Sequence, residues 1–338
     1  MRHRGEPATL RSLRADDSSQ LSAARGCELE YVQLERGRAL GSVSSASALR
    51  ISLHRARFER RVQVLASIHA AVVPMALVVS APGAGWFQFR PFAPGDLLYM
   101  GNSTRCDFIA PGDTEVIGIL VPEDLMRREA AACGGGSASD RRPGDPVVRL
   151  APTDRARLER TLALVFRDTD RGEIVEEELQ SSTVSLLWRA VHGARTQGRE
   201  QRDGPSPPRI QHTRRATGII EQRLPRGFRL ESLAEEVGVS PRTLQVGFRE
   251  VFQMSPMAYL RVRRLNALRQ LLRHSSPGDL SVAEAARRFG FAHLGRLSRY
   301  YELLFEELPS HTLVADPARI RGEPPPPAVD RKTDSLGR

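Results

Sequence analysis

Two helices joined by a tight turn are predicted between Leu230 and Leu244, where the chain reads LESLAEEVGVSPRTL. Gly238 supplies the positive φ angle that ends a helix at little cost. Ser240 is a natural N-cap, and Pro241 suits the first helical position because its missing N–H would have no partner there. The apolar stripe of the second helix has members four residues apart: Leu244, Phe248 and Phe252. This pattern predicts a helix-turn-helix unit.

The same pattern occurs a second time further along the chain, which indicates an internal repeat. Four positions recur 53 residues later: Leu297, Tyr301, Phe305 and Pro309 follow Leu244, Phe248, Phe252 and Pro256. Three more recur 52 residues later: Ala286, Phe289 and Gly290 follow Ala234, Val237 and Gly238. Ser281 and Glu284 form a capping box at the start of this copy. The phenylalanines of both copies are expected in the core: Phe248, Phe252, Phe289 and Phe305.

A long helix is predicted between the two copies, from Pro256 to Arg273. Its inward stripe is expected to comprise Val262, Leu265, Leu268 and Leu272. About 18 residues at about 1.5 Å each give a rod of roughly 27 Å. Adjacent major grooves on one face of B-DNA lie about 34 Å apart. A rigid spacer of nearly that length would let one chain place two recognition helices in successive grooves.

Charge is concentrated in the same part of the chain. The 338 residues carry a net charge of +10, and 49 of the 50 basic residues are Arg. Between Arg209 and Leu313 there are 17 Arg and 10 acidic residues, a surplus of seven. A basic excess in one domain is typical of nucleic-acid binders, although an Arg-rich composition alone would also produce it.

The quoted motifs resemble the DNA-binding domain of the AraC family of bacterial transcription regulators. The resemblance covers residues 213–313, including Met254-Ser255-Pro256 and Leu297-Ser298-Arg299-Tyr300-Tyr301. It departs from the family pattern at Glu306-Glu307-Leu308-Pro309 and at His293-Leu294-Gly295. The resemblance implies a regulator that binds promoter DNA, acts with RNA polymerase as an activator, and carries an N-terminal domain for effector sensing and dimerisation. That N-terminal domain is often cupin-like in the family, and Pro94-Gly95-Asp96-Leu97 is similar to a cupin turn.

Residues outside the apolar stripes of the two recognition helices are candidates for DNA contact. They are Arg242, Thr243, Gln245, Val246, Arg249, His293, Arg296, Ser298 and Arg299. Arg242 can donate to guanine O6 and N7, Gln245 can pair with adenine, and Val246 can touch a thymine methyl group. A solvated helix face is the alternative interpretation. The cluster Arg261, Arg263 and Arg264 either lies along DNA or ties the two subdomains together, whereas Glu235, Glu236, Glu306 and Glu307 are expected to be solvated or capping charges.

The predicted fold class is α+β. Short apolar runs separated by Pro-Gly turns predict a small cupin-like β-barrel over residues 27–132, and helical periodicity predicts two helices within 150–195. These parts form a sensor and dimerisation domain over 26–195, followed by a linker over 196–212 and the DNA-binding domain over 213–315. Residues 1–25 and 316–338 are expected to be flexible tails. The two helices are candidate contacts of a homodimer.

Aromatic residues of the barrel either line an effector pocket or form plain core. The pocket candidates are Trp86, Phe87, Phe89 and Tyr99. A metal site would need several converging His, but only His54 and His69 are available, so no metal, cofactor or catalytic residue is predicted. Cys106 beside Arg105 is either a reactive thiol or an inert one.

The remaining composition narrows the class of protein. No run of 18 apolar residues is present, so no membrane span is expected, and three widely spaced cysteines do not indicate a disulfide framework. These features favour a cytoplasmic protein. Two alternatives to a transcription regulator remain: a cupin-type enzyme with a basic accessory domain, and a non-specific nucleic-acid-binding protein.

Overall fold

The computed structural model describes residues 11–15, 27–38, 40–48, 50–68, 71–100, 105–133, 146–170, 177–196, 206–225, 227–275 and 278–314. His69, the predicted tail over 316–338 and most of the predicted tail over 1–25 lie outside these residues. Within them the chain has the predicted α+β architecture, with β-structure first and helices after it. No helix in the described ranges is both long and apolar enough to cross a membrane.

The N-terminal half forms two antiparallel sheets. The strands are β1 Arg11–Ala15, β2 Cys27–Gln33, β3 Gly41–Ala48, β4 Ile51–Phe58, β5 Val62–Ile68, β6 Val72–Ser80, β7 Gly85–Phe87, β8 Arg90–Phe92, β9 Asp96–Tyr99, β10 Arg105–Ala110, β11 Thr114–Pro122 and β12 Val147–Arg149. The first sheet has seven strands in the order β1-β3-β4-β11-β6-β9-β12, and the second has five in the order β2-β5-β10-β7-β8.

Strand β1 corrects the prediction of a tail over residues 1–25. It pairs antiparallel with β3, with Arg11 opposite Ser45 and Ala15 opposite Gly41. Its sequence RSLRA has no apolar run, so hydrophobic patterning gave no signal for it. A short edge strand needs only backbone hydrogen bonds to a neighbouring strand, and backbone hydrogen bonds do not require particular side chains.

Three helices cover the outer face of the seven-stranded sheet: α1 Glu123–Ala132, α2 Pro152–Asp170 and α3 Glu177–Thr196. The predicted stripe of α2 is buried against this sheet, and its members are Leu158, Leu162, Val165 and Phe166. Leu187 and Trp188 of α3 join the same core, together with Leu53 and Ile119 of the sheet. The inner faces of the two sheets enclose a second core, in which Phe58 and Phe92 both lie close to Phe108.

Seven helices form the C-terminal half: α4 Pro208–Gln222, α5 Leu230–Val237, α6 Pro241–Phe252, α7 Pro256–Arg273, α8 Val282–Arg288, α9 Leu294–Phe305 and α10 Pro309–Val314. The α5–α6 and α8–α9 pairs are the two predicted helix-turn-helix units. Helix α7 has the predicted bounds, and Leu265, Leu268 and Leu272 are buried.

Helix α4 corrects the predicted linker over 196–212, because the helix begins at Pro208. Three prolines near its start indicated a loop, but Pro is well suited to the first turn of a helix. The buried face of α4 has helical spacing and comprises Ile210, Thr213, Ala216, Thr217 and Ile220. Helix α4 packs directly on the recognition helix α6 and shares its apolar core.

The contact between α4 and α6 depends on a glycine. A Cβ atom added at Gly247 would lie 2.1 Å from Thr213 Oγ1 and 2.9 Å from the carbonyl oxygen of Arg209. We expect Gly247→Ala to lower the free energy of unfolding by about 1–3 kcal/mol, because the two helices must separate. Gly218→Ala is the matched control, since nothing lies within 4 Å of a Cβ there. That control should raise stability by up to about 1 kcal/mol through helix propensity.

Urea unfolding followed by circular dichroism measures both variants. Equal effects of the two substitutions would contradict the close approach of α4 and α6.

Candidate nucleic-acid interface and effector cavity

The first helix-turn-helix unit has the geometry that its sequence predicts. Gly238 adopts φ 82°, and its N–H donates to the carbonyl oxygen of Ala234 at 2.9 Å. Ser240 Oγ accepts from the backbone N–H of Thr243 at 3.1 Å, which caps helix α6. The hydroxyl groups of Ser240 and Thr243 are also 2.9 Å apart. Thr243 thus takes part in the cap, in addition to its predicted place on the DNA-facing side.

Helix α6 presents a basic and partly apolar face to solvent. Arg242, Val246 and Arg249 are exposed, whereas Gln245 is half-buried. Val246 is 45% exposed, although Val is an apolar residue in the middle of a packed domain. An exposed aliphatic side chain flanked by guanidinium groups is suited to the floor of a major groove, where thymine methyl groups lie beside acceptor atoms.

The second unit repeats this arrangement with different capping. Ser281 and Glu284 form the predicted capping box of α8. His293 is the N-cap residue of α9, but its side chain makes no capping hydrogen bond and is exposed. Arg296 and Arg299 are exposed, Ser298 is half-buried, and Leu294 is 45% exposed. The two recognition helices therefore share one pattern of exposed Arg beside an exposed aliphatic residue.

Ion pairing distinguishes the candidate DNA contacts from some of the other arginines of the domain. Several arginines outside the recognition helices pair with carboxylates, as in Arg209–Glu250, Arg223–Glu236 and Arg269–Glu307. The four exposed arginines of α6 and α9 form no ion pair with any described carboxylate; they are Arg242, Arg249, Arg296 and Arg299. Their charge is available for phosphate or base contacts.

The basic cluster of α7 has a structural role. Arg264 donates to the carbonyl oxygens of Leu224 and Pro225, and its guanidinium group lies about 3.1 Å from the position of a Cβ at Gly290. Arg264 thus links the end of α4 to the turn of the second unit. The guanidinium group of Arg261 lies 4.3 Å from the centre of the Tyr300 ring on α9. Of the two interpretations of the cluster, these contacts favour the tie between subdomains.

Arg263 is buried and joins the helical domain to the five-stranded sheet. It donates to Glu221 of α4 through Nε at 2.6 Å and through a second nitrogen, and to Glu30 of β2 at 2.8 Å. Burial alone lowers the pKa of Arg263, but its hydrogen bonds with Glu221 and the neighbouring negative charges raise the pKa overall. Arg263 therefore stays charged, and its position between two carboxylates holds the halves of the molecule together.

A chain of hydrogen bonds continues from this ion pair into the sheet. The Tyr259 hydroxyl lies 2.8 Å from Gln63 Oε1 of β5 and 3.1 Å from Glu221 Oε1, and its single proton can donate to either acceptor. The side-chain amide of Gln63 donates to Asp107 of β10 at 3.0 Å. Burial raises the pKa of Asp107 to about 6, although the hydrogen bond from Gln63 acts in the opposite direction.

The end of strand β2 contacts the second helix-turn-helix unit. The amide of Asn266 both accepts from the backbone N–H of Gln33 at 2.8 Å and donates to its carbonyl oxygen at 3.0 Å. The Gln33 side chain and the N–H of Gly37 both donate to the carbonyl oxygen of Leu304, near the end of α9. Arg36 pairs with Glu306. Sequence reasoning missed these polar residues, because a lone Gln within an apolar strand has no distinctive spacing.

The predicted effector pocket needs correction. Trp86 and Phe89 lie on the outer face of the five-stranded sheet, where Phe89 packs edge-on against Phe252 of α6. Tyr99 belongs to the core between the seven-stranded sheet and helices α1–α3. Of the four, Phe87 lines the cavity between the two sheets. Adjacent residues in a strand face opposite sides, which separates Trp86 from Phe87. Phe89 lies beyond the end of β7, in a turn where its φ angle is 60°.

The cavity lies between the two sheets and has a volume of about 160 Å³. Its lining comprises Leu29, Tyr31, Val43, His54, Ala56, Phe58, Val64, Ala66, Pro74, Met75, Ala76, Phe87, Leu98, Met100, Cys106, Phe108, Val116, Gly118 and Leu120. The period-two alternation of β4 could have identified His54, which shares the inner face with Ala56 and Phe58. The described residues contain no group of three side chains that could bind a metal ion.

Residues 233–314 match the family model described as a helix-turn-helix domain. The chain is 29% identical over 235 residues to the XylDLEGF operon transcriptional activator of Pseudomonas putida, which covers 68% of this chain and 70% of that protein. It is 31% identical to the structure of a probable AraC family transcriptional regulator from Rhodopseudomonas palustris, over 34% of this chain and 99% of that one, with a TM-score of 0.29. The AraC-like activator CuxR matches at 13% identity over 76% of this chain and 93% of its own, with a TM-score of 0.40.

The helical half is thus a DNA-binding domain with two helix-turn-helix units, joined to a double-sheet domain that encloses a cavity. Residues 233–314 form a helix-turn-helix domain of the AraC type, and the chain is similar over 68% of its length to a transcriptional activator of Pseudomonas putida.

The raised pKa of Asp107 predicts a pH dependence of stability. The folded chain binds the proton of this carboxyl more tightly than the unfolded chain does. Its stabilising effect is therefore complete at low pH and is lost as the pH rises through about 6. We expect Asp107→Asn to become more stable relative to the parent protein between pH 5 and pH 7.5, by about 1 kcal/mol, because about one pH unit separates pH 5 from the folded pKa of about 6.

Thermal or urea unfolding across this pH range measures the difference. Asp113→Asn, at an exposed turn, removes the same charge and is the control. A difference between Asp107→Asn and the parent that stays constant with pH would contradict the buried position of this carboxyl.

Proposed function

We propose that the chain activates transcription by placing helices α6 and α9 in successive major grooves of promoter DNA and that a small molecule in the cavity controls this binding. The observation that carries the DNA-binding part is the set of four unpaired arginines on the two recognition helices. Arg242 and Arg299 are the best candidates for base contacts, because each lies on the exposed face of its helix.

Base contacts and phosphate contacts are divided between the candidates by position. Arg242, Gln245 and Val246 lie in the first half of α6, and Arg296 and Arg299 lie in the first half of α9. The first half of a recognition helix is the part that reads base edges. Arg249, one turn further on, is suited to a phosphate. Helix α7, with its 18 residues, spans about 27 Å and separates the two units by nearly one turn of B-DNA.

The alternation of side chains in the five-stranded sheet supports control of DNA binding by a ligand in the cavity. In β10, Phe108 faces the cavity whereas Asp107 and Ile109 face the helical domain. In β5, Val64 lines the cavity and Gln63 contacts Tyr259 of α7. A molecule that shifts the inner residues moves these strands, and the same strands carry the contacts to the DNA-binding domain. A single β-sheet therefore separates the ligand from helix α7.

The proposed partners are an RNA polymerase and a second copy of the chain. The first follows from the activator relatives in Pseudomonas putida. For the second, helices α2 and α3 form the outer layer of the sensor domain, and Leu164 of α2 is an exposed aliphatic residue there.

The DNA contacts are tested with Arg242→Ala combined with Arg299→Ala. We expect this double variant to bind its operator about 100-fold more weakly or worse, because each bidentate contact to guanine contributes about 1–3 kcal/mol. The control is Arg57→Ala with Arg127→Ala, which removes the same charge from exposed positions of β4 and α1. Fluorescence anisotropy with an operator identified by genome-wide mapping of bound sites gives the affinities.

Undiminished operator binding by the double variant would contradict the assignment of these residues. An equal loss in the control would show that net charge, rather than the recognition helices, accounts for binding. Displacement by unrelated DNA at the same concentration as operator DNA would favour a non-specific nucleic-acid-binding protein.

A further inference from the structure

The cavity contains few polar atoms, and their placement indicates what it binds. We propose that it binds a small uncharged molecule of about the size of one six-membered ring, which carries a single hydrogen-bonding group held between His54 and Tyr31. This inference rests on the proposed function of the cavity as the effector site, and it names the chemical class of that effector.

Size restricts the ligand first. The cavity volume is about 160 Å³. An apolar protein cavity of about 150 Å³ accommodates a benzene molecule. A ligand with two fused rings or a long alkyl chain would have to displace side chains such as Phe58, Phe87 or Phe108, which pack with their neighbours in the core between the sheets. Displacing packed core residues costs about 1–3 kcal/mol or more.

Charge restricts it further. No residue that lines the cavity is an Arg, Lys, Asp or Glu. His54 is the one lining residue with a basic side chain, and burial lowers its pKa. Its imidazole is therefore neutral at neutral pH. A carboxylate or ammonium group in this cavity would lose its hydration without gaining a partner of opposite charge, which is strongly unfavourable. The cavity consequently selects uncharged molecules.

His54 supplies a specific polar contact. Its Nδ1 lies 2.9 Å from Ser45 Oγ on the neighbouring strand β3, which fixes the orientation of the ring. Its Nε2 is buried and forms no hydrogen bond with any described protein group. A buried polar atom without a partner costs about 1–3 kcal/mol. A ligand hydroxyl or carbonyl that bonds to Nε2 would remove this cost, whereas a hydrocarbon of the same size would not.

Tyr31 supplies a second polar group from the opposite sheet. Burial raises the pKa of Tyr31, so its hydroxyl stays protonated and can donate or accept a hydrogen bond. Tyr31 lies on β2, and the residues on either side of it in that strand, Glu30 and Val32, face the helical domain. A ligand bonded to both His54 and Tyr31 would connect the seven-stranded sheet to the strand that contacts Arg263.

Three probes that each contain one six-membered ring test the chemical class: phenol, toluene and benzoate. We expect the full-length protein at pH 7.5 to bind phenol most tightly, toluene more weakly and benzoate least. His54→Phe should weaken phenol about fivefold or more, since one hydrogen bond contributes about 1 kcal/mol, and should leave toluene unchanged. Isothermal titration calorimetry or ligand-observed NMR gives the affinities.

Two further variants keep the test decisive. Tyr31→Phe removes only a hydroxyl group and should likewise weaken phenol relative to toluene. Gly118→Leu adds a side chain at a lining position where a Cβ meets only ordinary contacts, at 3.6 Å or more. It should abolish binding of all three probes. Tighter binding of benzoate than of phenol, or an unchanged ratio of phenol to toluene in both polar variants, would overturn the proposal.

Operator binding separates this inference from the proposed function. If the protein binds its operator but none of the probes, the ligand class is wrong and the DNA-binding function stands. If phenol binds in the cavity without changing operator affinity, the ligand class stands and control through the cavity is wrong.

Discussion

The buried guanidinium group of Arg263 is the contact on which the arrangement of the two halves depends. It lies between Glu221 of the helical domain and Glu30 of the five-stranded sheet, and Tyr259 and Gln63 extend the network into that sheet. Replacing Arg263 with an uncharged residue would leave the largely buried carboxylate of Glu221 without its guanidinium partner, and breaking a buried ion pair in this way typically costs about 3–5 kcal/mol. The network thus fixes which surface of the sheet faces the DNA-binding domain. Nearby apolar contacts, such as that of Phe89 with Phe252, strengthen the interface without setting its register.

The sequence was sufficient to predict the DNA-binding domain because its signals are local. Gly238, Ser240 and Pro241 specify a turn and a helix start within four residues, and the second copy repeats the apolar spacing. The bounds of α7 were also predictable from periodicity. Helix α4 was missed because a Pro-rich composition hid a regular apolar stripe. Strand β1 has no stripe at all, and only its pairing with β3 reveals it.

The site residues were less predictable, because their roles depend on contacts between distant parts of the chain. Arg261, Arg263 and Arg264 look alike in sequence, yet one stacks on Tyr300, one is buried between two carboxylates and one binds backbone carbonyl groups. Likewise Trp86 and Phe87 are neighbours, but they face opposite sides of a sheet. The face that each residue joins follows from strand register, which the order of strands in the sheet determines.

The contacts of strand β2 with the end of α9 have a consequence for the DNA sequence that the protein can read. Gln33 and Gly37 contact Leu304 in the second unit, and the same sheet contacts Phe252 in the first. Both helix-turn-helix units therefore contact the same sheet domain, in addition to being joined by α7. These contacts leave little freedom to adjust the distance between helices α6 and α9. An operator in which one base pair is inserted between the two half-sites would rotate one of them by about a tenth of a helical turn, and the protein could not follow.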